Sequence, residues 1–247
     1  MNVPSSASRV ALVTGGSGGI GSAVALRLAQ DGVAVGVHYS GSKDRAQTVV
    51  ESIASAGGMA ILVGGDVADE NQMAAVFDQL ESEFGGVDVV VHTAGTMPLG
   101  AIAEMDLATF DGIMRTNLRG TFIVDQLAAQ RVRAGGAIIN FSSSVTRLEQ
   151  PTYGPYAATK AGAEAMTLIL ARELRGKDIT VNTVAPGPTD TPLFTEGKSD
   201  DFIAQIAGMN PMQRLGRPAD VAELIAALAG PLRWVNGQTI FVNGGAA

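Results

Sequence analysis

Apolar, strand-like runs alternate with helical segments along the 247 residues of this chain, and this alternation restricts the possible folds more than any other feature. Several runs are almost continuously apolar, as is typical of strands covered on both faces. The predicted strands are 9–15, 33–39, 59–65, 87–93, 136–142, 179–185 and 238–243. The predicted helices are 19–31, 43–56, 69–84, 106–131, 155–176 and 218–229. We therefore expect an α/β fold, with a doubly wound parallel sheet of about seven strands and helices on both faces.

No linker or change of composition divides residues 1–247, so we expect a single domain. Ser42 and Asp69 precede the second and third predicted helices and are reasonable N-caps. The alternation is interrupted only at 186–217, a segment rich in Pro and Gly with room for one or two short helices. Long ordered loops often cover active sites, so we predict a substrate lid at about 192–215.

The composition excludes several classes of function. A net charge of −7 and a pI near 4.8 argue against a nucleic-acid partner. There are no cysteines and only two histidines, so no metal site is expected. The first eight residues lack the apolar core of a signal peptide, and no apolar run approaches ~18 residues. We expect a cytoplasmic protein with no membrane partner.

The sequence TGGSGGIG, residues 14–21, connects the first predicted strand to the first helix. Gly15, Gly19 and Gly21 permit a tight turn, a close approach of backbone to phosphate, and close packing of the helix on the strand. The helix N-terminus offers free N–H groups and a positive dipole end to a pyrophosphate. This arrangement predicts a Rossmann-type dinucleotide site. It is not a P-loop, because no Gly-Lys-Ser/Thr follows.

The end of the second strand bears on the choice of dinucleotide. NAD-binding folds carry an acidic residue there, whereas this chain has Tyr39 and Ser40, with Lys43 and Arg45 close by. A carboxylate at this position would repel a 2′-phosphate, and the position has none. We therefore favour NADP(H), with NAD(H) as the alternative if the loop is only a solvated helix start.

The stretch YGPYAATK, residues 153–160, contains two tyrosines and one lysine. Lys160 follows Tyr156 by four residues, so the two side chains share one face of a helix. The same spacing from Tyr153 reaches only Ala157. If this segment moves a proton, Tyr156 is the residue that does so.

Together, these motifs resemble the classical short-chain dehydrogenase/reductase family over essentially the full chain, and most closely its 3-oxoacyl-[acyl-carrier-protein] reductases. The motifs are TGGSGGIG (14–21), GGDVAD (64–69), TNLRG (116–120), FSSSV (141–145), YAATK (156–160), APGPTDT (185–191) and VNGG (242–245). Two departures occur. Thr93 replaces the family's asparagine after the fourth strand, and Gly18 replaces an arginine that many NADP-dependent members carry, which keeps NAD(H) open.

The resemblance implies a set of site residues. The implied catalytic residues are Asn117, Ser143, Tyr156 and Lys160. The implied cofactor-binding residues are Gly15, Ser17, Gly19, Ile20, Gly21, Tyr39, Ser40, Asp66, Val67, Ala94, Gly95, Tyr156, Lys160, Pro186, Gly187, Thr189 and Thr191. The family's serine precedes its tyrosine by about 13 residues, which selects Ser143 over Ser142 and Ser144, and we expect these two only to end the strand.

The reaction implied is interconversion of a carbonyl and an alcohol by nicotinamide hydride transfer, with Tyr156 as general acid/base. A lysine ammonium ~5 Å away supplies about 3 kcal/mol at an effective dielectric of ~20, most of what a tyrosinate needs at pH 7. Asn117 would hold a water beside Lys160. A Ser/His/Asp hydrolase is not supported, because His38 and His92 lie within strand runs and are expected to be structural.

Other readings stay open for substrate and class. The alternatives are a sugar, polyol or small-ketone dehydrogenase using NAD(H), and a non-catalytic nucleotide-binding regulator with the same fold. Acyl-carrier protein is acidic, and Arg131, Arg133 and Lys177 could help to dock it, although charges exposed at helix ends are an equal explanation.

The resemblance also implies a homotetramer built from the helices at about 106–131 and 155–176 and the C-terminal strand. Ala161, Ala165, Leu168 and Arg172 recur at helical spacing and would form a second face for helix packing.

Overall fold

A computed structural model describes residues 9–247. The first eight residues, on which the prediction about a signal peptide depends, lie outside the described part. The strands are β1 Val10–Thr14, β2 Ala34–Tyr39, β3 Ala60–Gly64, β4 Val87–His92, β5 Val132–Phe141, β6 Thr180–Pro186 and β7 Thr239–Val242. They form one sheet in the order β3-β2-β1-β4-β5-β6-β7, with every neighbouring pair parallel. The predicted fold of seven parallel strands is confirmed.

Helices cover both faces of this sheet. They are α1 Gly19–Gln30, α2 Lys43–Ser55, α3 Glu70–Phe84, α4 Leu107–Ile113, α5 Gly120–Arg131, α6 Val145–Leu148, α7 Gly154–Glu173, α8 Pro192–Thr195, α9 Asp200–Met209 and α10 Pro218–Ala229. Asp69 caps α3 as predicted, accepting hydrogen bonds from the backbone of Asn71 and Gln72. The Ser42 side chain makes no cap bond to α2 and accepts from Arg45 instead, so that prediction is wrong.

The single helix predicted over 106–131 is interrupted by a π-helical segment, Met114–Arg119, between α4 and α5. The backbone N–H of Gly120 bonds to the carbonyl of Arg115, five residues earlier. The Thr121 hydroxyl donates to the carbonyl of Asn117 at 2.6 Å. Because this hydroxyl competes with backbone N–H groups for the carbonyl, it supports the wider turn.

Alternate strand residues pack into two apolar layers. Ala11 and Val13 face α1, α2 and α10, whereas Val10 and Leu12 face α3, α5 and α7. This explains the nearly continuous apolar character of the strands. Among residues 9–247, no helix is both long enough and apolar enough to cross a bilayer.

The segment after β6 contains the two short helices for which the sequence had room, α8 and α9. Its base is closed by backbone bonds between Pro188–Asp190 and Gly216 and by a bridge from Thr189 to Gly216. Near the end of α9, the Asn210 amide donates to the carbonyl of Asn243 at 2.7 Å. The part predicted to be a lid is therefore anchored at both ends.

Candidate active site

The site lies where the winding of the sheet reverses, between β1 and β4. In open parallel sheets, ligands bind at the carboxyl ends of the strands beside this point. The glycine turn follows β1, Ala94 and Gly95 follow β4, Ser143 follows β5 and Gly187 follows β6. The topology thus collects the predicted motifs at one edge of the sheet.

The glycine turn accepts no side chains at two of its positions. Gly15 has φ +66°, and a Cβ atom there would lie 2.9 Å from the backbone nitrogen of Ala94. A Cβ atom at Gly21 would lie 2.3 Å from the carbonyl oxygen of Gly15. The turn is therefore packed tightly between β1, the end of β4 and the first turn of α1, leaving the α1 N-terminus to face a ligand.

Thr93, the departure from the family's asparagine, still ties β4 to this turn. Its hydroxyl donates to the carbonyl of Thr14 at 2.6 Å, so a shorter side chain makes the connection across the sheet. His92 shares a hydrogen bond with the Thr14 hydroxyl at 2.8 Å. Burial lowers the pKa of His92 to about 3 and that of His38 to about 4, which keeps both rings neutral.

The end of β2 carries no carboxylate. The Tyr39 ring covers Gly64, where a Cβ atom would lie 2.9 Å from the phenol oxygen, while Ser40 and Lys43 are exposed. Across the same edge, Asp66 accepts from the backbone of Ala68 at 2.9 Å and pairs with Arg115 at 2.6 Å. The adjacent Val67 is buried against Gly120.

Tyr156 and Lys160 lie one turn apart on the buried face of α7. The ammonium of Lys160 is 5.7 Å from the centre of the Tyr156 ring and donates to the carbonyl of Phe141 at 2.9 Å. Tyr153 packs edge-to-face on Tyr156, with ring centres 6.3 Å apart, and is the more exposed of the two. The structure therefore brings the predicted pair together.

The protonation of this pair differs from the expectation. Burial raises the pKa of Tyr156 to about 12, although hydrogen bonding with Ser143 acts against the rise. Burial also lowers the pKa of Lys160 to about 8. Burial, the largest cause of the Tyr156 shift, acts against the lowering of the phenol pKa toward 7 that is expected from the sequence.

Ser143 lies in the turn that follows β5, beside Tyr156. Its Oγ accepts from the backbone N–H of Val145 at 3.3 Å. Ser144 is buried and its hydroxyl has no partner among residues 9–247. Ser142, expected only to end the strand, instead donates to Glu164 at 2.5 Å.

Asn117 is buried in the π-helical segment. Its amide accepts from the backbone N–H of Thr96 and donates to the carbonyl of the same residue, both at 2.8 Å. A Cβ atom on Gly95 would lie 3.3 Å from Asn117 Oδ1 and 3.7 Å from Lys160 Nζ. Asn117 thus lies beside Lys160, whereas its predicted hold on a water stays a prediction.

The segment after β6 reaches back to the glycine turn. Gly187 is tied to β7 by a bond from its N–H to the carbonyl of Val242 at 2.9 Å. The Thr189 hydroxyl donates to the carbonyl of Gly187 at 2.8 Å. The methyl group of the buried Thr191 lies 2.5 Å from where a Cβ on Gly19 would be. Gly19 and Thr191, both implied to bind the cofactor, are therefore packed closely together.

Two of the three cations considered for docking an acidic partner are held in ion pairs. Arg131 pairs with Asp78 and Glu81, and Arg133 pairs with Asp88. Lys177 is exposed and donates to the carbonyl of Ala129 at 3.3 Å, and docking through these residues stays a prediction. The described residues, 9–247, also include no cluster of three or more potential metal ligands.

Glu164 was not predicted. It follows Lys160 by four residues on α7, and its carboxylate accepts from both Ser142 and Thr146, on either side of Ser143. The continuation of the Tyr156–Lys160 spacing to residue 164 is the signal that could have identified it.

Comparisons with known proteins identify the family of this chain. Residues 15–247 match the family described as Enoyl-(Acyl carrier protein) reductase. A short-chain type dehydrogenase/reductase of Picea abies is 43% identical over 248 residues, covering 96% of this chain and 92% of the relative. A 3-oxoacyl-[acyl-carrier-protein] reductase of Staphylococcus aureus is 40% identical over 238 residues, covering 95% of this chain and 96% of the relative.

The solved structures include a short-chain dehydrogenase of Burkholderia cenocepacia in complex with NADP. It is 37% identical, with a TM-score of 0.90, and the match covers 96% of this chain and 97% of that one. The sheet order, the glycine turn and these full-length matches lead to one conclusion: this chain is an oxidoreductase of the short-chain dehydrogenase/reductase family, whose members act on CH–OH groups.

Proposed function

We propose that this enzyme interconverts a carbonyl compound and its alcohol with NADP(H), and that Tyr156 is the general acid/base. The observation that carries the proposal is the convergence of Ser143 and Lys160 on the buried phenol of Tyr156. The three residues come from two different elements, yet they meet at the same edge of the sheet as the glycine turn.

The residues at this edge fit a dinucleotide. At Gly15 and Gly21 the backbone is too closely packed for any side chain, as expected where a turn must leave the α1 N-terminus open to phosphate. Residues that would hold the cofactor are Gly15, Ser17, Gly19, Ile20, Gly21, Tyr39, Ser40, Asp66, Val67, Ala94, Gly95, Tyr156, Lys160, Pro186, Gly187, Thr189 and Thr191. When bound, NADPH supplies the hydride.

NADP(H) is favoured over NAD(H) by the end of β2. The strand ends in Tyr39 and Ser40 rather than in a carboxylate, and Ser40 and Lys43 are exposed beside it, so a 2′-phosphate would meet a hydroxyl and a cation at this position, with Asp44 one residue further on. The B. cenocepacia relative with bound NADP is consistent with this choice.

In the reduction, Ser143 and Tyr156 would donate hydrogen bonds to the carbonyl oxygen as negative charge builds on it. Tyr156 would then give up its proton to that oxygen. The ammonium of Lys160, 5.7 Å from the phenol ring, would stabilise the phenolate that is left. The proximity of Tyr156 to Lys160 and its hydrogen bonding with Ser143 support these roles.

The resting enzyme is poised as a proton donor. Ionising a phenol with a pKa of about 12 costs about 7 kcal/mol at pH 7. The phenol therefore stays protonated near neutral pH, which is the state that donation to a carbonyl oxygen requires.

We propose an apolar carbonyl substrate, such as a 3-oxoacyl thioester or an aliphatic ketone. The segment 192–215 exposes Leu193, Phe202, Met209 and Met212, side chains that suit an acyl chain better than a sugar. Because Arg131 and Arg133 are already paired, we place recognition in the acyl chain rather than in a carrier protein.

The decisive experiment measures NADPH consumption with a panel of carbonyl compounds. We expect turnover of acetoacetyl and longer 3-oxoacyl thioesters and of aliphatic ketones, and none of sugars. A crotonyl thioester tests reduction of a carbon–carbon double bond instead of a carbonyl, and we expect no turnover of it. Tight cofactor binding without turnover of any compound would support the non-catalytic regulator instead.

We further propose that the enzyme is a homotetramer. Ala161, Ala165, Leu168 and Arg172 are all exposed on the face of α7 opposite Tyr156 and Lys160. Ile169 on the same helix is 55% exposed and Trp234, before β7, is fully exposed. A second copy would remove this apolar surface from water and brace the helix that carries the proton donor.

A further inference from the structure

The carboxylate of Glu164 bridges two hydroxyl groups on either side of Ser143. Glu164 Oε1 accepts from Ser142 Oγ at 2.5 Å and lies 3.0 Å from Thr146 Oγ1. Ser142 is buried, and Glu164 and Thr146 are half-buried. The bridge joins the turn that carries Ser143 to the helix that carries Tyr156 and Lys160.

The turn has few other ties to α7. Its backbone is held mainly from β6, by bonds from Ser142 N to Val184 O and from Ser144 N to Pro186 O. Within the turn, Thr146 donates to the carbonyl of Ser143 through its backbone N–H at 3.2 Å, and its hydroxyl lies 3.0 Å from the same carbonyl. Thr146 therefore contacts both Ser143 and Glu164, so a change at the carboxylate reaches the serine through one residue.

We propose that Glu164 is a positioning residue that holds the Ser143 hydroxyl at its distance from Tyr156. Glu164 contacts neither the phenol nor Lys160 and acts only through Ser142 and Thr146. Hydrogen bonds to a carboxylate are about twice as strong as those between neutral groups, so this bridge is a strong tie between the turn and α7. The inference rests on the proposed function, because the position of Ser143 matters only if its hydroxyl serves the reaction.

Two substitutions distinguish the loss of the hydrogen-bond acceptor at residue 164 from a change in the charge of its side chain. Glu164→Ala removes the acceptor, and we expect kcat to fall about 10- to 100-fold, the effect of a misplacement of roughly 1 Å. Glu164→Gln keeps an acceptor oxygen, and we expect kcat within a few-fold of wild type. The Kd for NADPH should change little in either variant, because the glycine turn is not touched.

A double-mutant cycle with Ser143→Ala tests whether Glu164 acts through the serine. If it does, Glu164→Ala lowers kcat in the wild-type background but causes no further loss when Ser143 is already alanine. A fully additive loss, or a wild-type kcat in Glu164→Ala, would overturn the proposal. If Glu164→Ala does not fold, Thr146→Val removes one arm of the bridge and is tested in the same cycle.

The positioning role of Glu164 can also be tested without measuring activity. In a crystal structure of Glu164→Ala, we expect Ser143 Oγ to shift relative to the Tyr156 phenol by roughly 1 Å. An unmoved Ser143 would overturn the positioning role even if the enzyme reduces carbonyls. A moved Ser143 in a protein that reduces no carbonyl would support the positioning role and refute the proposed function.

Discussion

Lys160 and Tyr156 face each other across one turn of α7, with 5.7 Å between the ammonium and the centre of the phenol ring. Both are buried, and burial shifts each toward its neutral form, so that the phenol keeps its proton while the lysine gives up its own more easily. The phenol of this pair is therefore protonated near neutral pH.

If Tyr156 is the proton donor, Tyr156→Phe should lower kcat by about 100- to 10,000-fold, the usual contribution of a general acid. The Kd for NADPH should stay nearly unchanged, since the ring remains. Tyr153→Phe is the matched control on the same helix and should alter at most the KM for the carbonyl. Steady-state kinetics with fluorescence titration of NADPH measure both, and a dead Tyr153→Phe would refute the assignment.

The rate of reduction should fall as the pH rises through about 8. The protonated lysine stabilises the phenolate, and burial has lowered the pKa of Lys160 to about 8 in the free enzyme. kcat/KM reports groups of the free enzyme, so its pH profile should show this limb. Lys177→Arg, a substitution of an exposed lysine, serves as control and should leave this fall in kcat/KM unchanged. A flat profile between pH 7 and 10 in the wild-type enzyme would contradict the prediction.

Cofactor preference should respond to one charge at the end of β2. Tyr39→Asp places a carboxylate where the 2′-phosphate is expected, and we predict a shift in the NADPH/NADH ratio of kcat/KM on the order of 10- to 100-fold toward NADH. Tyr39→Asn removes the ring without adding charge and serves as control. A wild-type enzyme that prefers NADH would show that the interpretation of this loop is wrong.

Asp125 should make stability depend on pH. It is buried and its Oδ2 accepts from the Asn140 amide at 2.9 Å, yet burial raises its pKa to about 7. A raised folded-state pKa means that the folded state holds the proton longer, so stability falls as the pH rises from about 4 to about 7.

The Asp125→Asn variant keeps the acceptor and removes the titration. We expect the free energy of unfolding of the variant, relative to wild type, to increase by about 3 kcal/mol between pH 5 and pH 8. Urea unfolding at the two pH values measures it. A difference that does not change with pH would show that Asp125 is ionised in the folded protein without cost.

The assembly can be tested at the exposed face of α7. Ala165→Arg puts a long cation on the expected interface and should dissociate the tetramer and lower activity, as seen by light scattering and kinetics. Ala54→Arg makes the same change on the exposed face of α2, outside that interface, and should leave the tetramer intact. A stable, fully active wild-type monomer at micromolar concentration would refute this prediction.

Local sequence determined the elements and the register of the main motif. Strands and helices have periods of two and 3.6 residues, so β1 to β7 and most helices could be predicted from neighbouring residues alone. The pairing of Tyr156 with Lys160 is also local, because four residues make one helical turn. The glycine turn belongs here too, since Gly15 takes a conformation that only glycine adopts readily.

Only the tertiary structure decided how these parts act on one another. Arg131 meets Asp78 and Glu81, and Glu164 meets Ser142, across about 20 to 50 residues of chain, distances at which no periodicity carries information. The pKa values of Tyr156 and Lys160 depend on how completely packed neighbours exclude water, which spacing alone does not reveal. The sequence therefore identified Tyr156 and Lys160 as residues that could move a proton. Burial in the folded chain decided their pKa values, raising that of the phenol and lowering that of the lysine.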